Sequence, residues 1–112
     1  MYGKEIHTVN LDIKTETLVG FALKAGQVVR GFDAVRHAAE RNSLSLILIK
    51  EEISENSEQK LKRTLKNMNI PICKIKKNRD WKLTWGIETH KILGILKGNL
   101  GSSIVKNINA GV

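Results

Sequence analysis

The fold of this chain is decided by one stretch, Leu18-Val-Gly-Phe-Ala-Leu-Lys-Ala-Gly-Gln-Val-Val-Arg-Gly-Phe-Asp-Ala-Val35. Its first apolar residues recur at three- and four-residue spacing, which predicts a helix that ends at Gly26. Val28 to Arg30 then form a brief strand, and a second helix begins at Gly31. Because free backbone N–H groups at a helix start favour negative charge, we expect a phosphate as the partner at Gly31.

The alternation of helix and strand continues on both sides of this stretch. Leu44 to Ile49 is an apolar run rich in branched residues, which is typical of a buried central strand. The other predicted elements are a helix capped by Thr15, a helix over Phe32 to Arg41, a helix over Glu55 to Asn67 capped by Ser54, a strand over Ile70 to Ile75, a short turn from Asp80 through Trp85, a strand over Ile92 to Leu96 and a helix over Leu100 to Ile108. This order predicts an α/β fold, a three-layer α/β/α sandwich with a small mixed four-stranded sheet.

The length of 112 residues is sufficient for one domain with its own core. We predict that residues 15–112 form this domain and that residues 1–14 are an N-terminal extension of uncertain order. The single cysteine, Cys73, lies in an apolar run and is predicted to be a buried core residue. We expect no cofactor, because no His or Cys cluster has metal-ligand spacing, and no membrane partner, because no apolar run is long enough to span a bilayer. These features favour a cytoplasmic monomer.

The charge of the chain is concentrated in its second half. Residues 1–59 contain seven Lys or Arg and nine Asp or Glu, a net charge of −2, whereas residues 60–112 contain twelve and two, a net charge of +10. A positive field of this size attracts polyanions through counterion release, so nucleic acid is the leading partner class. The alternative is a protein with a high isoelectric point and no such partner.

Several segments, taken in order, point to a known family. They are Ala25-Gly-Gln-Val-Val-Arg-Gly-Phe-Asp-Ala-Val35, then Leu46-Ile-Leu-Ile49 with Glu52, Ser54 and Asn56, then Asn69-Ile-Pro-Ile72, and finally Gly86-Ile-Glu88. Together they resemble the L-seven-Ae and L-thirty-e group of ribosomal RNA-binding proteins, especially its small bacterial members, over Leu18 to Ile108. The resemblance implies a three-layer α/β/α fold that binds kink-turn or related stem-internal-loop RNA. The implied partners are ribosomal or other structured RNA and, with it, ribosomal proteins.

The resemblance also implies where RNA binds. In such proteins, the start of the helix after the first short strand enters the widened groove of kinked RNA, and a loop before the last strand covers an extruded base. The residues implied at the helix start are Arg30, Gly31, Phe32, Asp33, Arg36 and His37. Those implied in the loop are Trp85, Gly86, Ile87, Glu88 and Thr89. Lys82 is a further candidate for RNA contact because of its charge, although the family usually has leucine-glycine near Trp81-Lys82. Trp81 and Trp85 are each open to two interpretations, stacking on a base or packing in the core.

The helix start departs from the pattern of kink-turn binders, which is glycine-x-asparagine-glutamate-x-x-lysine. This chain has Asp33 in place of the asparagine, Ala34 in place of the glutamate and His37 in place of the lysine, with Arg36 next to His37. Asp33 and His37 have the spacing of a local ion pair on one helical face. Because no nucleophile, base and metal set is evident, we predict that the protein is not an enzyme. The alternative to RNA binding is a protein-interaction or scaffold module on the same fold.

Overall fold

A computed structural model of the chain describes residues 6–77 and 80–110, in which helices and strands alternate. In chain order the elements are β1 (His7–Val9), α1 (Ile13–Lys24), β2 (Val28–Arg30), α2 (Phe32–Glu40), β3 (Leu44–Lys50), α3 (Glu55–Thr64), β4 (Ile72–Ile75), α4 (Trp81–Trp85), β5 (Ile92–Leu96) and α5 (Asn99–Ala110). The α/β fold class predicted from the sequence is confirmed. Residues 1–5 of the predicted extension lie outside the described residues.

The strands form one mixed sheet in the order β1-β4-β3-β5-β2, with β3 at its centre. Strand β4 is parallel to both β1 and β3, whereas β5 is antiparallel to its neighbours β3 and β2. The prediction of four strands was one short, because β1 pairs with β4 through the register His7 to Cys73 and Val9 to Ile75. This strand lies in the segment predicted to be an extension, where apolar alternation was too weak to indicate pairing.

Helices cover both faces of the sheet and give the predicted three layers. Because successive side chains of a strand point to opposite faces, β3 supplies both halves of the core. Leu46 and Leu48 pack in the layer of α1, α4 and α5, whereas Ile47 and Ile49 pack against α2 and α3. All four side chains are buried, as expected for the central strand.

The start of α1 differs from the prediction. Asp12, and not Thr15, is the N-cap, since its side-chain oxygen accepts a hydrogen bond from the Thr15 backbone N–H at 2.8 Å. Thr15 is instead a buried residue of the first turn, 2% exposed. At the other end, Gly26 has a positive φ of 70°, which confirms it as the residue that terminates the helix.

Candidate nucleic-acid interface

Two helices of the same layer begin side by side at one edge of the sheet. Strand β2 ends next to Gly31, where α2 begins, and β3 is followed by Ser54, where α3 begins. A cavity of about 250 Å³ lies between these helix starts and the residues before β5. We call it the α2–α3 groove; it is lined by Gly31, Phe32, Ile53, Ser54, Ser57, Thr89, His90, Lys91 and Ile92.

Gly31 has a backbone conformation that glycine alone adopts readily. Its φ of 89° and ψ of 163° place it in a region that strains residues with a side chain. Its N–H donates to the Ile92 carbonyl at 2.8 Å, which ties α2 to the start of β5. A Cβ here would lie only 3.1 Å from Cδ2 of His90. Because Gly31 has no side chain, no side-chain cap neutralises the start of α2.

Ser54 caps α3 with a neutral group. Its hydroxyl accepts from the Ser57 backbone N–H at 3.1 Å and donates to the Ser57 Oγ at 2.9 Å. A hydroxyl satisfies one backbone donor without adding negative charge. Neither cap therefore adds negative charge to the positive end of its helix dipole, and the first-turn carboxylates of Asp33, Glu55 and Glu58 do not line the groove.

Cationic side chains from the second half of the chain lie at this groove. Lys91 lines it and is exposed. The Lys60 ammonium lies 4.4 Å from the ring centroid of Phe32, a cation–π contact that places Lys60 at the rim. Two other cations of this half do not reach the groove: Lys82 pairs with Glu88 at 3.5 Å, and Lys97 lies beyond the opposite end of β5. The positive field at the groove thus comes from particular side chains and not from the whole second half.

Of the remaining predicted residues of the helix start, Asp33, Arg36 and His37 lie on α2, and Arg30 ends β2. Arg36 lies 4.0 Å from Asp33 and 3.4 Å from Glu40, so its guanidinium is held between two carboxylates. The structure therefore pairs Asp33 with Arg36 and not with His37, contrary to the ion pair predicted from spacing. Arg30 and His37 are exposed.

The loop before β5 contributes less surface than predicted, because its large apolar side chains fill the core. Trp81 and Ile87 are each 1% exposed, so neither side chain is placed to contact a base. Trp85 is half-buried; its indole N–H donates to the Glu16 carbonyl at 3.0 Å, and its ring meets Trp81 edge-on at 5.5 Å. The short helix α4 thus packs both tryptophans against α1.

Six of the predicted residues fall into two surface groups. Gly31, Phe32 and Thr89 meet at the groove, whereas Lys82 is exposed on α4 and Gly86 and Glu88 are exposed in the turn that follows it, where Gly86 has a φ of 72°. Sequence reasoning missed Ser57, Lys60, His90 and Lys91 as groove residues. Ser54 was identified as a cap, but no local signal showed that its helix begins beside Gly31.

Three findings for the described part of the chain concern metal binding, thiol chemistry and membrane spanning. No group of three His, Cys, Asp or Glu side chains there is arranged to hold a metal ion. Cys73 is buried, and desolvation raises the pKa of its thiol, which disfavours the nucleophilic thiolate. None of the helices in residues 6–77 and 80–110 is both long and apolar enough to cross a membrane.

A model of the "Ribosomal protein L7Ae/L30e/S12e/Gadd45 family" matches residues 13–81, which include both helix starts of the groove. A search of curated protein sequences finds no match.

The solved structures that are similar to this fold include one protein from Bacillus halodurans and one from Giardia lamblia. A protein of unknown function from Bacillus halodurans has 17% identity and a TM-score of 0.76, covering 88% of this chain and 99% of its own. A Giardia lamblia 15.5kD RNA binding protein has 15% identity and a TM-score of 0.66, covering 91% of this chain and 93% of its own. At these identities the likeness shows the fold.

Proposed function

Because the chain belongs to the ribosomal protein L7Ae/L30e/S12e/Gadd45 family, we propose that it is a non-catalytic protein that binds structured RNA at the α2–α3 groove. One observation carries this proposal: two helix starts without a carboxylate cap face a single groove that also holds His90 and Lys91. Free N–H groups and a lysine at one point form a site for an anion such as an RNA phosphate.

The groove is suited to bent RNA and not to a regular duplex. A regular RNA helix has a deep, narrow major groove, whereas bulges and internal loops expose phosphates and unstacked bases. Phe32 offers a half-buried ring at the groove, with Lys60 above it, and the Gly31 backbone has no side chain to keep a ligand away. We therefore propose kink-turn-like RNA as the ligand class. The neighbour from Giardia lamblia, an RNA binding protein that shares this fold, supports RNA as the ligand.

The cellular setting is proposed on the same basis. The family description includes ribosomal proteins, so we propose that the chain acts as a cytoplasmic monomer on ribosomal or another structured RNA, beside ribosomal proteins. Crosslinking in cells, followed by sequencing of the bound RNA, tests this setting. Recovery of no RNA above background would contradict it.

The charge of the groove is tested by changing one cap. Ser54→Asp keeps a side chain that caps helices well but puts a carboxylate into the groove, whereas Ser54→Asn is the matched neutral cap. We expect Ser54→Asp to weaken binding to a kink-turn RNA at least about tenfold, by the loss of one charge-assisted contact, and Ser54→Asn to change it little. Fluorescence anisotropy over a range of salt concentrations measures both variants against the unchanged chain.

The outcome has clear controls. A fully paired duplex of equal length should bind more weakly than the kink-turn RNA, and thermal unfolding should show that both variants remain folded. If the unchanged chain binds neither kink-turn, bulged-stem nor ribosomal RNA at low salt, the proposed function is overturned.

One observation favours a second candidate, a protein-interaction or scaffold module. Asp33, with 88% of its side chain exposed, and the pairing of Arg36 with two carboxylates make the outer side of α2 less attractive to phosphate. A partner that copurifies at high salt and survives nuclease treatment would favour this candidate.

A further inference from the structure

Helix α3 has an outer face whose exposed residues are cations and amides. Asn56, Gln59, Lys60 and Arg63 lie along it, and Lys66 continues it in the turn that follows the helix. We call these five residues the α3 outer face. Glu55, in the first turn, lies at its margin.

Of the two acidic residues beside this face, Glu58 is already neutralised. Glu58 is turned toward β4, where it lies 2.7 Å from the Lys74 ammonium and 4.0 Å from that of Lys62, with 17% of its side chain exposed. Within the described residues, neither Arg63 nor Lys66 is within ion-pair distance of a carboxylate. Arg63 and Lys66 are therefore free to meet an external anion, whereas Lys60 contacts the Phe32 ring.

This face is continuous with the groove. Ser54 and Ser57, in the cap and first turn of α3, line the groove, and Lys60 contacts Phe32 at its rim. Arg63 follows one turn further, about 4.5 Å along the helix axis at 1.5 Å per residue. A strand that leaves the groove in the direction of α3 would pass over Lys60, Arg63 and Lys66 in turn.

The chemistry of the face selects RNA backbone over the other anionic surfaces. The apolar stripe of α3, including Leu61 and Leu65, is fully buried, so the helix has no apolar side to insert into a lipid surface. The outer face also has no apolar or aromatic anchor of the kind that protein interfaces use. Lysine, arginine and amide side chains are the groups that contact phosphate and sugar oxygens.

We propose that the α3 outer face binds the backbone of a stem that continues from the RNA held in the groove. This inference rests on the proposed function and extends it, since it assigns a second contact that sets affinity without reading sequence. Its contribution is electrostatic, because Arg63 and Lys66 each displace a counterion from the stem.

The test compares two charge-matched double variants of the full chain. Arg63→Gln with Lys66→Gln removes two cations from the α3 outer face, and Lys14→Gln with Lys24→Gln removes two exposed cations from α1 in the opposite layer. The probes are a kink-turn RNA with a long flanking stem and the same RNA shortened to the internal loop and its closing pairs. Affinity is measured by fluorescence anisotropy at several salt concentrations.

For the long-stem RNA, we expect the slope of log affinity against log salt to become shallower by about 1.5 in the α3 variant and to remain nearly unchanged in the α1 variant. With the shortened RNA, the α3 variant should match the unchanged chain. Equal slopes for the two variants on the long-stem RNA, or an equal loss on both RNAs, overturn the inference while leaving the groove proposal intact. Failure of the unchanged chain to bind either RNA overturns both proposals.

Discussion

The two helical layers begin their helices in different ways. In the layer of α1 and α4, the helix starts are closed by aspartates: Asp12 accepts from the Thr15 N–H, and Asp80 accepts from the N–H groups of Lys82 and Leu83. In the layer of α2 and α3, the corresponding caps are Gly31 and Ser54. The starts of α1 and α4 are therefore capped by a carboxylate, whereas the caps of α2 and α3 carry no charge.

Aromatic side chains show the same contrast. Trp81 and Trp85 pack against each other in the layer of α1, where Trp81 is 1% exposed. Phe32 remains half-buried at the groove, with the Lys60 ammonium over its ring. The two tryptophans help to build the core of their layer, although Phe21 on α1 is 53% exposed, whereas the Phe32 ring lies at the groove beside a cation.

The largest predicted effect separates these two uses of aromatic rings. Trp81→Ala should lower the free energy of unfolding by about 3–5 kcal/mol, because it removes a large, fully buried side chain and leaves a cavity. Phe32→Ala should cost less stability and should instead weaken RNA binding, by about 1–3 kcal/mol if a base stacks on the ring. Urea denaturation and anisotropy measure the two quantities.

Because Trp81→Ala is expected to be poorly folded, Trp81→Phe provides a milder variant for the binding measurement. If Trp81→Ala kept the stability of the unchanged chain but lost RNA affinity, Trp81 would be a binding residue and not a core residue.

A second prediction concerns the open start of α2. Gly31→Ala should destabilise the chain by about 1–3 kcal/mol, because a residue with a side chain is strained in this backbone region and its Cβ would press on His90. Gly26→Ala is the matched control: it also has a positive φ but nothing within 4 Å of a new Cβ, so it should cost only about 1 kcal/mol. Thermal unfolding compares the variants, and equal losses would show that the contact with His90 contributes nothing.

Features of the fold that depend on neighbouring residues could be predicted from the sequence, whereas those that depend on distant residues could not. Gly26, Ser54 and Asp80 are local signals, and each has the predicted position at a helix end. Strand β1 was not predicted as a strand, because three weakly patterned residues pair only when β4 is already beside them.

The candidate site shows the same limit. Gly31 was identified from its position between strand and helix, but the approach of Lys60 and Lys91 to it depends on how distant elements pack. Conversely, Ile87 was predicted to cover a base, whereas packing against α1 and the sheet buries its side chain. Sequence spacing located the helix end, and only tertiary packing determined which side chains surround it.

The smallest predicted effect tests a closed helix start. Hydrogen bonds from Thr15 to the Asp12 carboxylate lower the pKa of Asp12 below its ordinary value. Because the folded-state pKa is the lower one, the stabilisation is present above the ordinary pKa of an aspartate, about 3.9, and is lost as the pH falls through the lowered value. Asp12→Asn keeps a cap that does not titrate.

The urea midpoint should therefore drop more between neutral and acidic pH for the unchanged chain than for Asp12→Asn. At neutral pH, Asp12→Ala should be slightly less stable than both. RNA affinity at neutral pH should be the same for all three, since α1 begins in the layer opposite α2 and α3. The Asp12 substitutions could instead change RNA affinity as strongly as Ser54→Asp does. In that case, the difference between carboxylate-capped and uncharged helix starts would not locate the anion site.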